Sequence, residues 1–232
     1  MSSPSETQVR SAPKTTTISI AGPAGALELL IDEPGAGEPG VDESRSGSSP
    51  AGNVAVICHP HPLFGGNMTN KVVHTLARTF NDLGLPAVRF NFRGVGKSAG
   101  THDDGEGETE DALAVMEWTR ERWPGAELWL AGFSFGAAIA LRASLRSPVT
   151  RLITVAPAIR WLQQVKAAPA TPWLIVQGDQ DELVNVEAVR SWVAKLTKPP
   201  TLEVLAGGEH FFHGRLNDLR DAINAWLERV ES

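Results

Sequence analysis

The chain carries a single cysteine, Cys58, so no intramolecular disulfide can form. Cys58 lies in an apolar run, where a buried structural thiol is expected. No apolar run approaches the roughly 18 residues that a membrane-spanning helix needs. The first residues, Met1 to Gln8, have neither a basic start nor an apolar core, so they do not read as a secretory signal, and a cytoplasmic protein is expected. Positive charge is in deficit: 21 Lys and Arg against 27 Asp and Glu leave a net charge of −6. That balance argues against nucleic acid or an anionic membrane as the main partner. No Cys, His and carboxylate set stands at ligand spacing, so neither a metal nor a cofactor is expected. No internal repeat is visible.

What is present suits an α/β fold with a sizeable core. Of 232 residues, 42% are hydrophobic and 21% charged. Residues 1–14 are polar and read as a disordered tail. Residues 15–232 read as one domain, with the Gly-, Pro- and Ser-rich stretch 33–53 as a flexible loop inside it. Thr15–Ala21 and Ala26–Asp32 read as a hairpin around Gly22-Pro23-Ala24-Gly25. Strands and helices then alternate. Strands are expected at Val54–Cys58, Ala87–Phe92, Leu128–Phe133, Leu152–Val155, Trp173–Val176 and Leu202–Leu205. Helices are expected at Asn70–Leu83, Glu110–Trp123, after Ser134, at Val186–Leu196 and at Leu216–Val230. In the first of these helices Val72, Val73, Leu76, Phe80 and Leu83 share a face. This alternation implies a mostly parallel sheet of about eight strands with helices on both faces.

One stretch organises the rest. Leu128-Trp129-Leu130-Ala131-Gly132-Phe133-Ser134-Phe135-Gly136 is an apolar strand running into Gly-x-Ser-x-Gly, followed by the small-residue helix Ala137 to Leu141. That is the sequence form of a nucleophile elbow, with Ser134 at the apex of a strained strand-to-helix turn. Side chains at positions 132 or 136 would crowd the adjoining strand and helix. A serine hydroxyl is a poor nucleophile alone, so Ser134 needs a histidine base, and that base needs an orienting acid. In an open parallel sheet such groups belong on loops beyond the strands' carboxyl ends. Two loops qualify: Gly178-Asp179-Gln180-Asp181-Glu182-Leu183-Val184, and Gly207-Gly208-Glu209-His210-Phe211-Phe212-His213.

These segments appear in the order Ser, acid, His. With His59-Pro60-His61-Pro62-Leu63-Phe64-Gly65-Gly66 and Asn91-Phe92-Arg93-Gly94-Val95-Gly96-Lys97-Ser98, they resemble a serine α/β-hydrolase. Within that superfamily the chain resembles a bacterial branch of small esterases related to dienelactone hydrolases, over roughly residues 15–230. The resemblance implies Asp181 as the acid and His210 as the base. Asp179, nearer the strand end, is a rival acid, and His213 a rival base. His74 reads as a structural helix residue and His102 as a solvated loop residue. Dienelactone hydrolases use a cysteine nucleophile, so Ser134 departs from that activity.

An acyl intermediate needs donors aimed at its oxyanion. The Phe135 N–H is one. Such hydrolases commonly take the second from the loop after Val54–Cys58, where Pro60 and Pro62 have no N–H, which leaves His61 or Leu63. A metal site at His59 and His61 is the competing reading. Gly94-Val95-Gly96-Lys97-Ser98-Ala99 looks like a nucleotide loop, but Asn91 replaces the first glycine of a phosphate loop. Carboxylates, moreover, follow where a pyrophosphate would sit. Arg93 and Ser98 are instead expected to pin the loop, and the acidic run Asp103–Asp111 to be the solvated approach to a helix.

The segment Pro157–Pro172 is too short for a lid domain and makes at most a small helix, a minimal cap. Phe64, Phe133, Trp161 and Phe211 are candidates to line an acyl pocket, with Phe135 and Phe212 beside them. The expected activity is hydrolysis of small to medium carboxylic esters by Ser134, His210 and Asp181, with a small-molecule acyl ester as the partner. A thioesterase, peptidase or acyltransferase would use the same residues, and a silent hydrolase-fold binding protein is the alternative from another class. Trp226 suits either core or interface.

Overall fold

The computed structural model describes residues 14–35, 52–163, 165 and 167–231. Of the expected tail at 1–14, residues 1–13 lie outside them, while Lys14 already belongs to the first strand; most of the expected loop at 33–53 lies outside as well. β1 (Lys14–Gly22) and β2 (Gly25–Glu33) form the hairpin. β3 (Asn53–Cys58), β4 (Ala87–Phe90), β5 (Glu127–Phe133), β6 (Arg151–Val155), β7 (Trp173–Gly178) and β8 (Thr201–Leu205) follow. The order across the single eight-stranded sheet is β1-β2-β4-β3-β5-β6-β7-β8. β2 runs antiparallel to β1 and β4, and every later pairing is parallel.

That order puts the reversal of winding between β3 and β5. The chain leaves β3 toward β4 on one side and returns to β5 on the other, so the loops leaving these strands diverge and open a crevice. Register places Cys58 level with Gly132, so the loop after β3 and the turn after β5 share one rim.

Among the described residues, five α-helices cover the sheet. α1 (Lys71–Asp82) and α5 (Leu216–Glu231) pack on one face, through Val72, Leu76 and Phe80 and through Ile223, Trp226 and Leu227. α2 (Glu106–Arg122), α3 (Phe135–Ser144) and α4 (Val186–Val193) cover the other with Val115, Met116, Ile139 and Trp192. Trp226 is core. Period-two alternation along β5 sends Leu128 and Leu130 to the second layer and Trp129, Ala131 and Phe133 to the first. A deep apolar layer on each side explains why the central strands read as continuous apolar runs.

Local departures have identifiable causes. α2 starts at Glu106, four residues before the expected Glu110, because the Glu108 carboxylate reaches back to the Gly105 N–H at 2.8 Å and caps the first turn. The acidic run is therefore not simply solvated: Glu108 and Asp111 are fully buried. β4 ends at Phe90, and α4 at Val193 rather than Leu196. Leu83 caps α1 from an exposed position, while Leu85 takes the buried one. Among its described residues, the segment after β6 forms a single 3-10 turn, Ile159–Trp161.

Candidate active site

Ser134 joins β5 to α3 with φ 56° and ψ −115°, a conformation that residues bearing side chains avoid. The turn is over-determined. Ser134 N–H donates to the Val155 carbonyl at 2.8 Å, and the Ser134 carbonyl accepts from Ala137, Ala138 and Ala158. A Cβ at Gly132 would run into the Gly136 backbone, and one at Gly136 into the carbonyls of Cys58 and His59. Both glycines thus let α3 begin directly against the ends of β3 and β5.

His210, on the loop after β8, brings Nε2 to 3.0 Å from Ser134 Oγ. Its Nδ1 lies 2.8 Å from Asp181 Oδ2, on the loop after β7. A carboxylate only accepts, so Nδ1 carries the proton and Nε2 turns a lone pair toward the serine. The two loops are stitched by Asp179 N–H to the Leu205 carbonyl at 3.2 Å and Gln180 N–H to the Gly208 carbonyl at 3.0 Å. Asp181 also accepts from Leu183 N–H at 2.9 Å, Val184 N–H at 2.7 Å and Gln177 Nε2 at 2.9 Å. Burial pushes its carboxyl upward, but His210 and the Val184 and Leu183 N–H groups outweigh burial and hold it below its ordinary value. Asp179, the rival acid, instead caps the Gly207 N–H at 2.6 Å. His213, the rival base, is exposed and pairs with Glu209 at 3.3 Å.

The loop after β3 packs against the start of α3, with the His61 ring 4.7 Å from that of Phe135. Phe135 N–H is the first position of α3 and has no carbonyl one turn earlier to bond. Of the two open donors, Leu63 N–H is engaged by His61 Nδ1 at 3.3 Å, whereas the His61 N–H has no acceptor among the described residues. His59 cannot hold a metal, because both its nitrogens serve the backbone. Nε2 accepts from Phe92 N–H at 3.0 Å, and Nδ1 stands 2.6 Å from the Pro60 carbonyl. Burial pushes His59 down to about 3, so its ring is neutral at physiological pH.

A cleft of about 440 Å³ adjoins this loop, lined by His61, Leu63, Phe64 and Trp161 and by His102, Asp104 and Arg160. Phe64 and Trp161 therefore line this cleft. Phe133 does not: strand alternation turns it into the α1 and α5 layer, where it is fully buried under the His210 ring, 5.0 Å away. Phe211 stands beside His210 at 5.1 Å, outside the cleft, and Phe212 is core. Phe135 lies fully buried beneath His61 and Trp161. Burial, with the nearby His102 and Arg160, holds His61 below its ordinary value.

His102 is the residue the sequence reading misplaced. Its side chain is only 9% exposed, with Nδ1 2.8 Å from the Glu108 carboxylate and its ring 4.8 Å from that of His61. The Gly-rich motif forms a brace, as expected for Arg93 and Ser98. Arg93 grips Asp111, Nη2 to Oδ1 at 2.8 Å, and Ser98 Oγ bonds the Asn91 carbonyl and the Glu28 N–H. His74 sits on the exposed side of α1. Among the described residues, no helix is long and apolar enough to cross a membrane.

A strained serine on an elbow, with histidine and carboxylate from later loops, defines the class. The family model described as serine aminopeptidase, S33, matches residues 52–171, more than half of the chain, and the chain belongs to this family of α/β serine hydrolases. It is 46% identical to a structure of an α/β serine hydrolase homologue from Coxiella burnetii, with TM-score 0.80 over 89% of this chain and 94% of that one. A serine hydrolase without a lid from Xanthomonas campestris is 43% identical, with TM-score 0.83 over 93% of this chain and 94% of that one. Uncharacterized protein RP471 of Rickettsia prowazekii is 35% identical over 196 residues, which cover 80% of this chain and 82% of that one.

Proposed function

We propose that this protein is a carboxylesterase that hydrolyses small to medium carboxylic esters through an acyl-enzyme on Ser134. The observation that carries the reading is the continuous line from Asp181 through His210 to Ser134 Oγ, at 2.8 and 3.0 Å, ending on the strained elbow. His210 Nε2 takes the hydroxyl proton as Ser134 Oγ attacks the ester carbonyl, and Asp181 stabilises the imidazolium that forms. The N–H groups of Phe135 and His61 receive the oxyanion. The tetrahedral intermediate collapses as His210 returns the proton to the departing alcohol. Water, deprotonated by the same imidazole, then releases the acid and regenerates the serine. The small-molecule ester is the expected partner, and the apolar wall of Phe64 and Trp161 suits a modest acyl or alcohol group. A cytoplasmic location fits this reading.

The test is fluorophosphonate labelling of wild type and Ser134→Ala, with a p-nitrophenyl ester chain-length series. An adduct on Ser134, with turnover lost in Ser134→Ala and His210→Ala, is the expected result. A folded wild type that neither labels nor turns over would overturn it in favour of a binding protein. The family's description brings in a second reading, peptide hydrolysis. A free substrate amine would need an anion, and Asp104 is the one carboxylate among the cleft's lining residues. Faster turnover of aminoacyl p-nitroanilides than of p-nitrophenyl esters would favour that reading.

A further inference from the structure

The mechanism leaves His59 unused, although it is a fully buried imidazole beside the oxyanion loop. Its surroundings define its tautomer. Phe92 N–H donates to Nε2 at 3.0 Å, so that nitrogen carries the lone pair and Nδ1 carries the proton. Nδ1–H then donates to the Pro60 carbonyl at 2.6 Å. That carbonyl belongs to the peptide unit whose other end is the His61 N–H. A trans peptide is planar, with C=O and N–H pointing in opposite directions, so holding the oxygen holds the N–H. The chain also packs tightly against the Pro60 carbonyl at Gly66, where a Cβ would strike it.

We infer that His59 is a positioning residue for the oxyanion hole, fixing through its Nδ1–H the Pro60–His61 peptide so that the His61 N–H faces the developing oxyanion. The inference rests on the ester-hydrolase reading and adds to it a defined source of preorganisation. A hydrogen bond at the carbonyl oxygen also polarises the peptide and strengthens its N–H as a donor. A ring that stays neutral and keeps one tautomer makes this wiring constant across the working pH. The arrangement explains why a loop with Pro60 and Pro62 still delivers a donor: the prolines stiffen the chain, and His59 sets the rotation of the Pro60–His61 peptide, whose N–H is the one between them.

Two substitutions separate this role from loop anchoring. His59→Asn keeps an N–H close to where Nδ1–H stood and drops the acceptor for Phe92. His59→Gln carries its carbonyl oxygen toward the Nε2 position, keeps the Phe92 bond and drops the donor to Pro60. Removing one oxyanion donor elsewhere costs about 10²–10³-fold in kcat, so a misaimed donor in His59→Gln is expected to cost about 10–100-fold with KM little changed. His59→Asn is expected to retain most of kcat. Rates are taken per active site titrated to completion with fluorophosphonate, which counts only folded enzyme. A trifluoromethyl ketone, which binds as the tetrahedral adduct, should weaken in parallel with kcat. Equal losses in both variants, or a larger loss in His59→Asn, would overturn the inference and leave His59 as an anchor for Phe92. A wild type that neither labels nor turns over ester would overturn the ester-hydrolase reading and this inference together.

Discussion

Among the described residues, two buried carboxylates each hold an imidazole through a 2.8 Å bond to Nδ1: Asp181 with His210, and Glu108 with His102. Their surroundings match closely. Each carboxylate is fully buried and accepts two backbone N–H groups of a turn, Leu183 and Val184 for Asp181, Asp103 and Gly105 for Glu108. They differ at the far nitrogen. His210 Nε2 meets the hydroxyl of a strained serine, whereas His102 Nε2 finds no hydrogen-bond partner among the described residues and has Asp104 Oδ1 3.5 Å away. A buried carboxylate holding an imidazole is therefore a structural unit in its own right, here also a helix cap. What separates the two is the elbow that brings Ser134 to one and not to the other.

The sharpest way to separate the pairs is to damage each carboxylate in turn. Asp181→Asn replaces an acceptor with an amide and favours the wrong tautomer of His210. A loss of about 10⁴-fold in kcat is expected, by analogy with the acid of other serine triads. Glu108→Gln should leave kcat for a p-nitrophenyl ester within the same order of magnitude. Its cost falls on stability, because the amide cannot accept from Gly105, Asp103 and His102 together. A buried donor left unmatched costs about 1–3 kcal/mol, readable by denaturant unfolding. A collapse of kcat in Glu108→Gln, with stability intact, would erase the distinction between the pairs.

The acid limb of stability should also single out Asp181. Its folded carboxyl is held below the ordinary value of 3.8. The ionised group therefore contributes stability that is fully present above that pH and is lost as pH falls through the folded value. Asp181→Asn removes this titration. The stability gap between wild type and variant is expected to be constant above about pH 5 and to shrink below about pH 4. Chemical denaturation at a series of pH values measures it, and a gap that widens toward acid would reverse the sign of the argument.

How far the sequence could be read depends on how far each residue's environment is local. The elbow was legible because its requirements lie within a few positions: an apolar strand, two glycines where the backbones touch, and a small-residue helix. The two later loops could be nominated because each directly follows a strand, and within them Asp181 and His210 were picked out by the resemblance to serine α/β-hydrolases. Glu108 and Asp111 were not legible. A Gly-rich acidic run reads as solvated unless partners arrive from elsewhere, and here His102 and Arg93 supply them. Phe133 was misread because an aromatic beside the nucleophile looks like a pocket wall, yet strand alternation sends it to the opposite layer. His61 and Leu63 were equivalent donors in sequence, and what tells them apart in the structure is a side-chain hydrogen bond inside the loop, from Leu63 N–H to His61 Nδ1.

Asp179 gives the smallest expected effect and the finest control on the comparison. It lies two residues from Asp181 in the same loop and was the nearest rival for the acid. Its carboxylate accepts from Gly207 N–H at 2.6 Å and so ties the β7 loop to the β8 loop that carries His210. It is solvent-exposed, so the bond competes with water and little is lost when it is weakened. Asp179→Asn retains an acceptor oxygen for Gly207, and a loss of at most about 0.5 kcal/mol is expected, with kcat and KM unchanged. A pair of kinetic and thermal measurements on this variant isolates what a loop carboxylate does when it does not touch the imidazole. If Asp179→Asn lost activity on the scale of Asp181→Asn, the assignment of the acid would have to move by two residues, and the geometry around His210 would have to be reread with it.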